Sequence, residues 1–158
     1  LHLPPRVHRD PATRVLISFG GTDPSGLADR TMHALDGLNL DLHVVRPGRR
    51  ACMSDLMLWA DVIVTSQGRT VLEAAATRTP CVSIAANERE AGHIRIPGVT
   101  YLGLHSGIAD VRIADELRFA LSRRKLREFR AGQAASAVDA HGLTRLVRNI
   151  ERLLEVPA

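Results

Sequence analysis

The chain has 158 residues, a length typical of a single domain that can bury a hydrophobic core without metal ions or disulfides. Its two cysteines, Cys52 and Cys81, form neither a disulfide framework nor a metal-binding pattern, which favours a reducing, cytoplasmic setting. The formal net charge is +4, and no apolar run approaches the roughly 18 residues that a membrane-spanning helix needs.

Residues 1–13 are rich in proline and show no periodicity, which predicts a linker. The sequence starts at Leu1 rather than at methionine. We therefore expect an excised half of a longer protein, in which residues 14–158 form one domain.

Strand patterns then alternate with helix patterns along the chain. Apolar runs predict five strands, at residues 15–19, 42–45, 62–65, 81–85 and 99–102. Asp23 is expected to cap the first helix, with Pro24 at its first position. A turn is expected around Pro47 and Gly48, and Ser54 is expected to cap a short second helix.

The rest of the chain continues this alternation. A third helix is predicted from about residue 69 to residue 77, a polar turn at residues 87–90, and helices after the fifth strand. Such an order predicts a Rossmann-like α/β fold, with a parallel sheet and helices on both faces. Ligands of these sheets bind beyond the carboxyl ends of the strands, so the turns at that edge are the candidate site.

The turn after the first strand has the sequence FGGTDP and contains two adjacent glycines. It lacks the features of a Walker A loop and of the dinucleotide GxGxxG pattern, which argues against ATPase and NAD-dependent functions. Gly20 and Gly21 would let the main chain approach a diphosphate, and Thr22 offers a hydroxyl donor. The alternative is a tight structural turn, in which Asp23 places negative charge where phosphate would otherwise bind.

The region around the third strand repeats the order seen around the first strand: an apolar run, a glycine-containing turn and then a helix. Main-chain, hydroxyl and guanidinium donors for a diphosphate are offered by Ser66, Gln67, Gly68, Arg69 and Thr70. Glu73 lies one turn into the helix and could accept two hydrogen bonds from a vicinal diol such as ribose. The alternative for Glu73 is an exposed ion pair with Arg69. Two such turns in one domain suggest a nucleotide-diphosphate cleft.

Asn87, Glu88 and His93 follow the fourth strand and are expected at the same edge of the sheet. They could contact a sugar or a base, or they could be ordinary loop residues, which is the more common role of a lone histidine. The seven histidines show neither HxH nor HExxH spacing, so we expect no metal site and no cofactor. No catalytic nucleophile or base can be assigned from these motifs.

Much of the positive charge lies late in the chain, in residues 123–130 and again in the last predicted helix. A nucleic-acid surface is one interpretation. Solvated faces of amphipathic helices are the better one, because these residues alternate with apolar positions and few aromatic residues are available to stack on bases. We therefore expect no nucleic-acid partner.

The order of these segments resembles the carboxyl-terminal half of GT-B nucleotide-sugar enzymes. It is most similar to the UDP-sugar hydrolase of pseudaminic acid biosynthesis and its spore-coat-polysaccharide relatives, and more distantly to the lipid II N-acetylglucosaminyltransferase. The resemblance is carried by VLISFGGTDP at 15–24, MSDLMLWADVIVTSQGRTVLEAAATRTPCVSI at 53–84, Asn87 with Glu88, and DAHGLTRLV at 139–147. It implies that Gly21 and Thr22 face the diphosphate, that residues 68–70 hold the phosphates, and that Glu73 binds the ribose hydroxyls of UDP.

The same resemblance implies a function for the domain. It would bind a UDP-sugar within a glycosyltransferase or a UDP-sugar hydrolase, while an amino-terminal GT-B domain of the same protein supplies the acceptor site or the catalytic base. These 158 residues alone would then bind the nucleotide without turnover. A non-catalytic GT-B-like module for protein interaction or ligand sensing is the alternative.

Overall fold

A computed structural model describes residues 6–46, 52–93, 95–139 and 141–154. Five parallel strands form one sheet in the order β2-β1-β3-β4-β5. Their bounds are Arg14–Ser18 (β1), Asp41–Val44 (β2), Val62–Ser66 (β3), Cys81–Ala85 (β4) and Thr100–Leu104 (β5). The predicted Rossmann-like α/β fold with a parallel sheet is confirmed.

Helices connect the strands and cover both faces of the sheet. Their bounds are Leu27–Ala34 (α1), Met53–Trp59 (α2), Thr70–Ala76 (α3), Glu88–Ala91 (α4), Asp110–Leu121 (α5), Arg124–Ser136 (α6) and Gly142–Leu154 (α7). Among the described residues, no helix has the length and apolar character needed to cross a membrane.

The two faces of the sheet carry separate hydrophobic clusters because successive side chains of a strand point to opposite sides. Val15 and Ile17 of β1 pack with α1 and α5 on one face. Leu16 packs with α2, α3 and α6 on the other. The central strands β3 and β4 are buried along their whole length, as expected for parallel strands covered on both faces.

Three local predictions are corrected by the structure. The first helix begins at Leu27 rather than at Pro24, because Gly26 adopts a left-handed conformation and starts the helix there. The second helix begins at Met53, so Ser54 lies inside it and does not cap it. The expected polar turn at residues 87–90 contains the short helix α4. The turn expected around Pro47 and Gly48 lies outside the described residues.

The described part of the first segment, residues 6–13, contacts the amino-terminal edge of the sheet. Arg6 donates hydrogen bonds to the carbonyl oxygen of Met57 and, at 2.9 Å, to Thr79 Oγ1. Arg9 donates to the carboxylate of Asp61 at 3.1 Å. The division into a linker at 1–13 and a domain at 14–158 remains a prediction.

Helix α7 is exposed along its whole length. Its apolar side chains recur at helical spacing and form one stripe, consisting of Leu143, Leu146, Val147, Ile150, Leu153 and Leu154. Leu153 is 75% exposed and Leu154 80%. Within the described residues, therefore, no surface covers this stripe.

Candidate functional site

The β1–α1 turn presents main-chain donors at the carboxyl edge of the sheet. Gly20 has a φ of 81°, a left-handed conformation that favours glycine. A Cβ atom built on Gly20 or Gly21 would meet no protein atom within 4 Å, so space is open beside both residues. The N–H groups of Gly20, Gly21 and Thr22 have no hydrogen-bond acceptor among the described residues, and all three residues are exposed.

Asp23 limits what this turn can bind. Its two carboxylate oxygens accept hydrogen bonds from the N–H groups of Leu27 and Ala28, both at 2.9 Å. The carboxylate therefore caps α1, although it does so from three residues before the N-cap position, which Gly26 occupies. An anion at this turn would use the N–H groups of residues 20–22 and would have the charge of Asp23 nearby.

The β3–α3 turn is fixed by buried hydrogen bonds around Gln67. The side chain of Gln67 is only 2% exposed, and its Oε1 accepts from Ser83 Oγ at 2.5 Å. The N–H of Gln67 donates to Ile84 O, and the N–H of Gly68 donates to Ser66 O at 2.8 Å. Gln67, which we expected to donate to a ligand, thus has a side chain turned towards β4.

Donors without partners lie on both sides of Gln67: Ser66 is largely buried, Thr70 is partly exposed and Arg69 is exposed. The N–H groups of Arg69 and Thr70 have no acceptor within the described part of the chain. The side chains of Ser66, Arg69 and Thr70 likewise make no hydrogen bond or ion pair to another described residue. Two main-chain donors, two hydroxyls and one guanidinium are therefore available at this turn.

Glu73 is exposed and has no ion pair with Arg69 in the described structure. The alternative that we considered for this carboxylate is therefore not observed. Glu73 lines a groove of about 550 Å³ that lies between α3 and the junction of α6 with α7. On the opposite wall, hydrogen bonds from the Arg145 side chain and then from the His141 N–H lower the pKa of Asp139 below its ordinary value.

The two glycine turns lie side by side. Strands β1 and β3 are neighbours in the sheet, with Ser18 paired to Thr65, and the Thr65 hydroxyl donates to Ser18 O at 2.7 Å. Adjacent strands are about 4.8 Å apart, so the donors of both turns begin from neighbouring points on one edge. A ligand of the size of a pyrophosphate could contact both turns.

The loop after β4 lies at the same edge. Asn87 caps α4 by accepting a hydrogen bond from the Glu90 N–H at 3.0 Å, and the Glu90 carboxylate accepts from the Ala86 N–H. Ser25 in the β1–α1 loop donates to Ala86 O at 3.3 Å. The amide oxygen of Asn87 is therefore used in the cap, whereas Glu88 is exposed.

His93 has a specific partner that the sequence did not reveal. Its Nδ1 lies 2.7 Å from the carbonyl oxygen of Gln67, which joins the α4–β5 loop to the β3–α3 turn. The imidazole also lines a recess of about 200 Å³ together with Gly68, Arg69 and Leu72. Only its position shortly after the fourth strand could have indicated this placement.

The described residues contain no group of three or more His, Cys, Asp or Glu side chains that could hold a metal ion. The polar groups gathered at the sheet edge are instead hydrogen-bond donors and two carboxylates, Glu73 and Glu88, that have no ion pair within the described residues. Such a set suits a phosphorylated ligand that carries hydroxyl groups.

The parallel sheet with helices on both faces matches the Rossmann-like domains of GT-B glycosyltransferases. The MurG structure from Acinetobacter baumannii has a TM-score of 0.70 at 18% identity, over 94% of this chain and 55% of that chain. CalG4, the calicheamicin glycosyltransferase, has a TM-score of 0.64 at 16% identity, over 92% of this chain and 44% of that chain.

The chain thus spans about half the length of these two structures. At such identities the likeness shows the fold. No protein-family model and no curated protein matches the chain. The expected GT-B-like fold is confirmed, while the particular UDP-sugar hydrolase family remains a prediction.

Proposed function

We propose that this domain binds the nucleotide-sugar donor, a UDP-sugar, of a GT-B glycosyltransferase or UDP-sugar hydrolase. The observation that carries this proposal is a pair of neighbouring turns in which the N–H groups of residues 20–22 and of Arg69 and Thr70 lack acceptors in the described structure. Exposed, preorganised N–H groups at strand-to-helix turns are recurrent binding groups for phosphate.

The diphosphate would lie across both turns. The N–H groups of residues 20–22 and of Arg69 and Thr70 would donate to its oxygens, together with the hydroxyls of Thr22, Ser66 and Thr70. When the bond between the sugar and the diphosphate breaks, negative charge grows on the departing diphosphate. The same donors and the Arg69 guanidinium would stabilise that charge.

Glu73 would bind the ribose. A carboxylate can accept one hydrogen bond from each hydroxyl of a vicinal diol, and its charge strengthens both bonds. The exposed Glu88 and the amide NH2 of Asn87 would contact the sugar from the neighbouring loop.

The catalytic base or the acceptor site would come from an amino-terminal GT-B domain of the same protein, and these 158 residues alone would bind without turnover. The uncovered apolar stripe of α7 supports a further polypeptide surface, because six large aliphatic side chains in water are costly. The free thiols of Cys52 and Cys81 fit our proposal of a cytoplasmic setting.

Isothermal titration with UDP and with 2′-deoxy-UDP tests this function. The wild-type domain should bind UDP more tightly than the deoxy nucleotide, because Glu73 would lose one hydroxyl partner. Glu73→Gln should weaken UDP binding by about tenfold, the scale of a lost hydrogen bond to a charged group, and should reduce the preference for UDP. Glu151→Gln, which changes an exposed carboxylate on α7, is the matched control and should bind as wild type.

The non-catalytic module remains a second candidate, and the position of Asp23 favours it. A carboxylate that caps α1 beside the first glycine turn opposes an anionic ligand there. Absence of binding at millimolar UDP, combined with self-association through α7, would support this alternative and contradict the nucleotide-sugar function.

A further inference from the structure

The hydrogen bond between His93 and Gln67 fixes the tautomer of the imidazole. The partner atom is a carbonyl oxygen, which can only accept, so Nδ1 must carry the proton. In the neutral ring, Nε2 is then unprotonated and is the nitrogen left for other interactions.

This bond acts on the first peptide group of the β3–α3 turn. The carbonyl of Gln67 and the N–H of Gly68 belong to one planar unit and point in opposite directions. His93 holds the carbonyl end at 2.7 Å, and Ser66 O accepts from the N–H end at 2.8 Å. The orientation of this peptide is therefore set at both ends.

The fixed peptide immediately precedes the exposed donors. The N–H groups of Arg69 and Thr70 are the next two along the chain, and the peptide between Gln67 and Gly68 sets the direction from which the backbone leads to them. Rotation of that peptide would redirect the turn. Without the His93 imidazole, the Gln67 carbonyl would lose the hydrogen bond that helps to hold this peptide in place.

We propose that His93 is a positioning residue, which holds the β3–α3 turn in the orientation that presents the Arg69 and Thr70 N–H groups to a diphosphate. This inference rests on the proposed function. Because the donors are held before the ligand arrives, binding does not have to order them, and the affinity is higher than that of a mobile turn.

Three variants separate this role from a general loss of structure. His93→Asn places an amide N–H near the position of Nδ1–H, whereas His93→Leu supplies no donor. His33→Leu removes an exposed histidine on α1 and is the control. The probes are UDP and inorganic pyrophosphate, and thermal unfolding establishes that each variant is folded.

We expect His93→Leu to weaken binding of both probes by about three- to tenfold, the range of a lost neutral hydrogen bond. His93→Asn should restore affinity to within about twofold of wild type, and His33→Leu should have no effect. In the wild-type protein, the ¹⁵N shifts of the His93 ring should show Nδ1 protonated and Nε2 bare when the ring is neutral.

Equal affinity in wild type and His93→Leu, or a neutral ring protonated at Nε2, would overturn the inference and leave the proposed function standing. Failure of the wild-type protein to bind either probe would overturn the function, and with it the positioning role. If His93→Leu does not fold, the folded His93→Asn variant decides. An affinity of His93→Asn more than about twofold below that of wild type then overturns the inference.

Discussion

At the amino-terminal edge of the sheet, the carboxylate of Asp61 is buried and accepts hydrogen bonds from the N–H groups of Thr13 and Arg14, both at 3.0 Å. At the carboxyl edge, the N–H groups of residues 20–22 and of Arg69 and Thr70 have no acceptor among the described residues. Polar groups at the first edge are used to hold the fold. At the second edge, these five N–H groups have no partner within the described residues.

The amino-terminal edge also contains charged side chains that are buried away from water. Burial lowers the pKa of Arg6 to about 10, although the nearby Asp61 acts in the opposite direction. Arg127 is 1% exposed and donates to the carbonyl oxygens of Ala120 and Arg9, at 2.8 and 2.6 Å. Substitutions at this edge should change stability, and substitutions at the other edge should change binding.

The largest expected effect concerns Gly98, which is packed against α6. A Cβ atom there would lie 2.1 Å from Arg130 O, and Gly98 has a φ of +82°. Gly98→Ala should therefore lower the free energy of unfolding by about 3 kcal/mol or more, as measured by urea denaturation. Gly132→Ala is the control, because Gly132 lies within α6 with open space around it and should tolerate alanine. Equal stability of the two variants would contradict the packing described for α6.

Asp61→Asn should have the next largest effect. The amide oxygen can still accept from the Thr13 and Arg14 N–H groups, but the amide NH2 would face the Arg9 guanidinium, so a hydrogen bond to a charged group is lost, at about 2 kcal/mol of unfolding free energy. Asp41→Asn is the control, since the Asp41 carboxylate is 62% exposed and lies 3.8 Å from Arg14 Nε. UDP affinity of the folded Asp61 variant should match wild type, and a selective loss of binding would show that the two edges are not separate.

Gly21→Ala tests the opposite edge. Stability should change by less than about 0.5 kcal/mol, because a Cβ at this position meets no protein atom and the backbone lies outside the left-handed region. UDP affinity should fall several-fold, since the new methyl group would occupy space beside the proposed diphosphate. Unchanged UDP affinity in a normally stable Gly21→Ala variant would place the ligand elsewhere.

The smallest expected effect is a pH dependence of stability from His8. Burial, followed by the charge of Arg6, lowers the pKa of His8 below its ordinary value of 6.5. The folded state therefore favours the neutral ring. This contribution is fully present above pH 6.5 and is lost as the pH falls towards the lower folded-state pKa.

Urea denaturation at pH 7.5 and pH 5.5 measures this contribution. His8→Gln should lose less stability between the two pH values than wild type does. His33→Gln, in the exposed control position, should behave as wild type. An identical pH dependence in His8→Gln and wild type would contradict the proposed desolvation of His8.

The sequence was sufficient to predict the strands that are buried on both faces, because such strands consist of continuous apolar residues. The fourth strand was predicted at residues 81–85 with its exact bounds, because buried parallel strands are continuous apolar runs. The placement of both glycine turns at one edge also followed from chain order, since alternating strands and helices form parallel sheets, whereas the pairing of β1 with β3 is seen only in the structure.

Local helix starts were less predictable. Asp23 does cap α1, yet the left-handed Gly26 delays the helix to Leu27, and pattern alone did not distinguish this from a start at Pro24. Helix α4 has only four residues, too few for an apolar period to be seen.

The contacts that shape the site depend on tertiary structure. The bond from His93 to Gln67 O joins residues from different loops and uses a main-chain acceptor, which no side-chain pattern encodes. The same is true of the hydrogen bonds from Thr13 and Arg14 to Asp61. Side-chain identities indicated which groups could bind a ligand, but only the fold shows which of them already have partners.

The most direct test is a map of UDP binding by amide chemical shifts. We expect UDP to shift the signals of residues 20–22 and 68–70 and to leave those of Thr13 and Arg14 at the other edge unchanged. Shifts confined to the amino-terminal edge, or no shifts at millimolar UDP, would contradict the claim that the carboxyl edge is a diphosphate site.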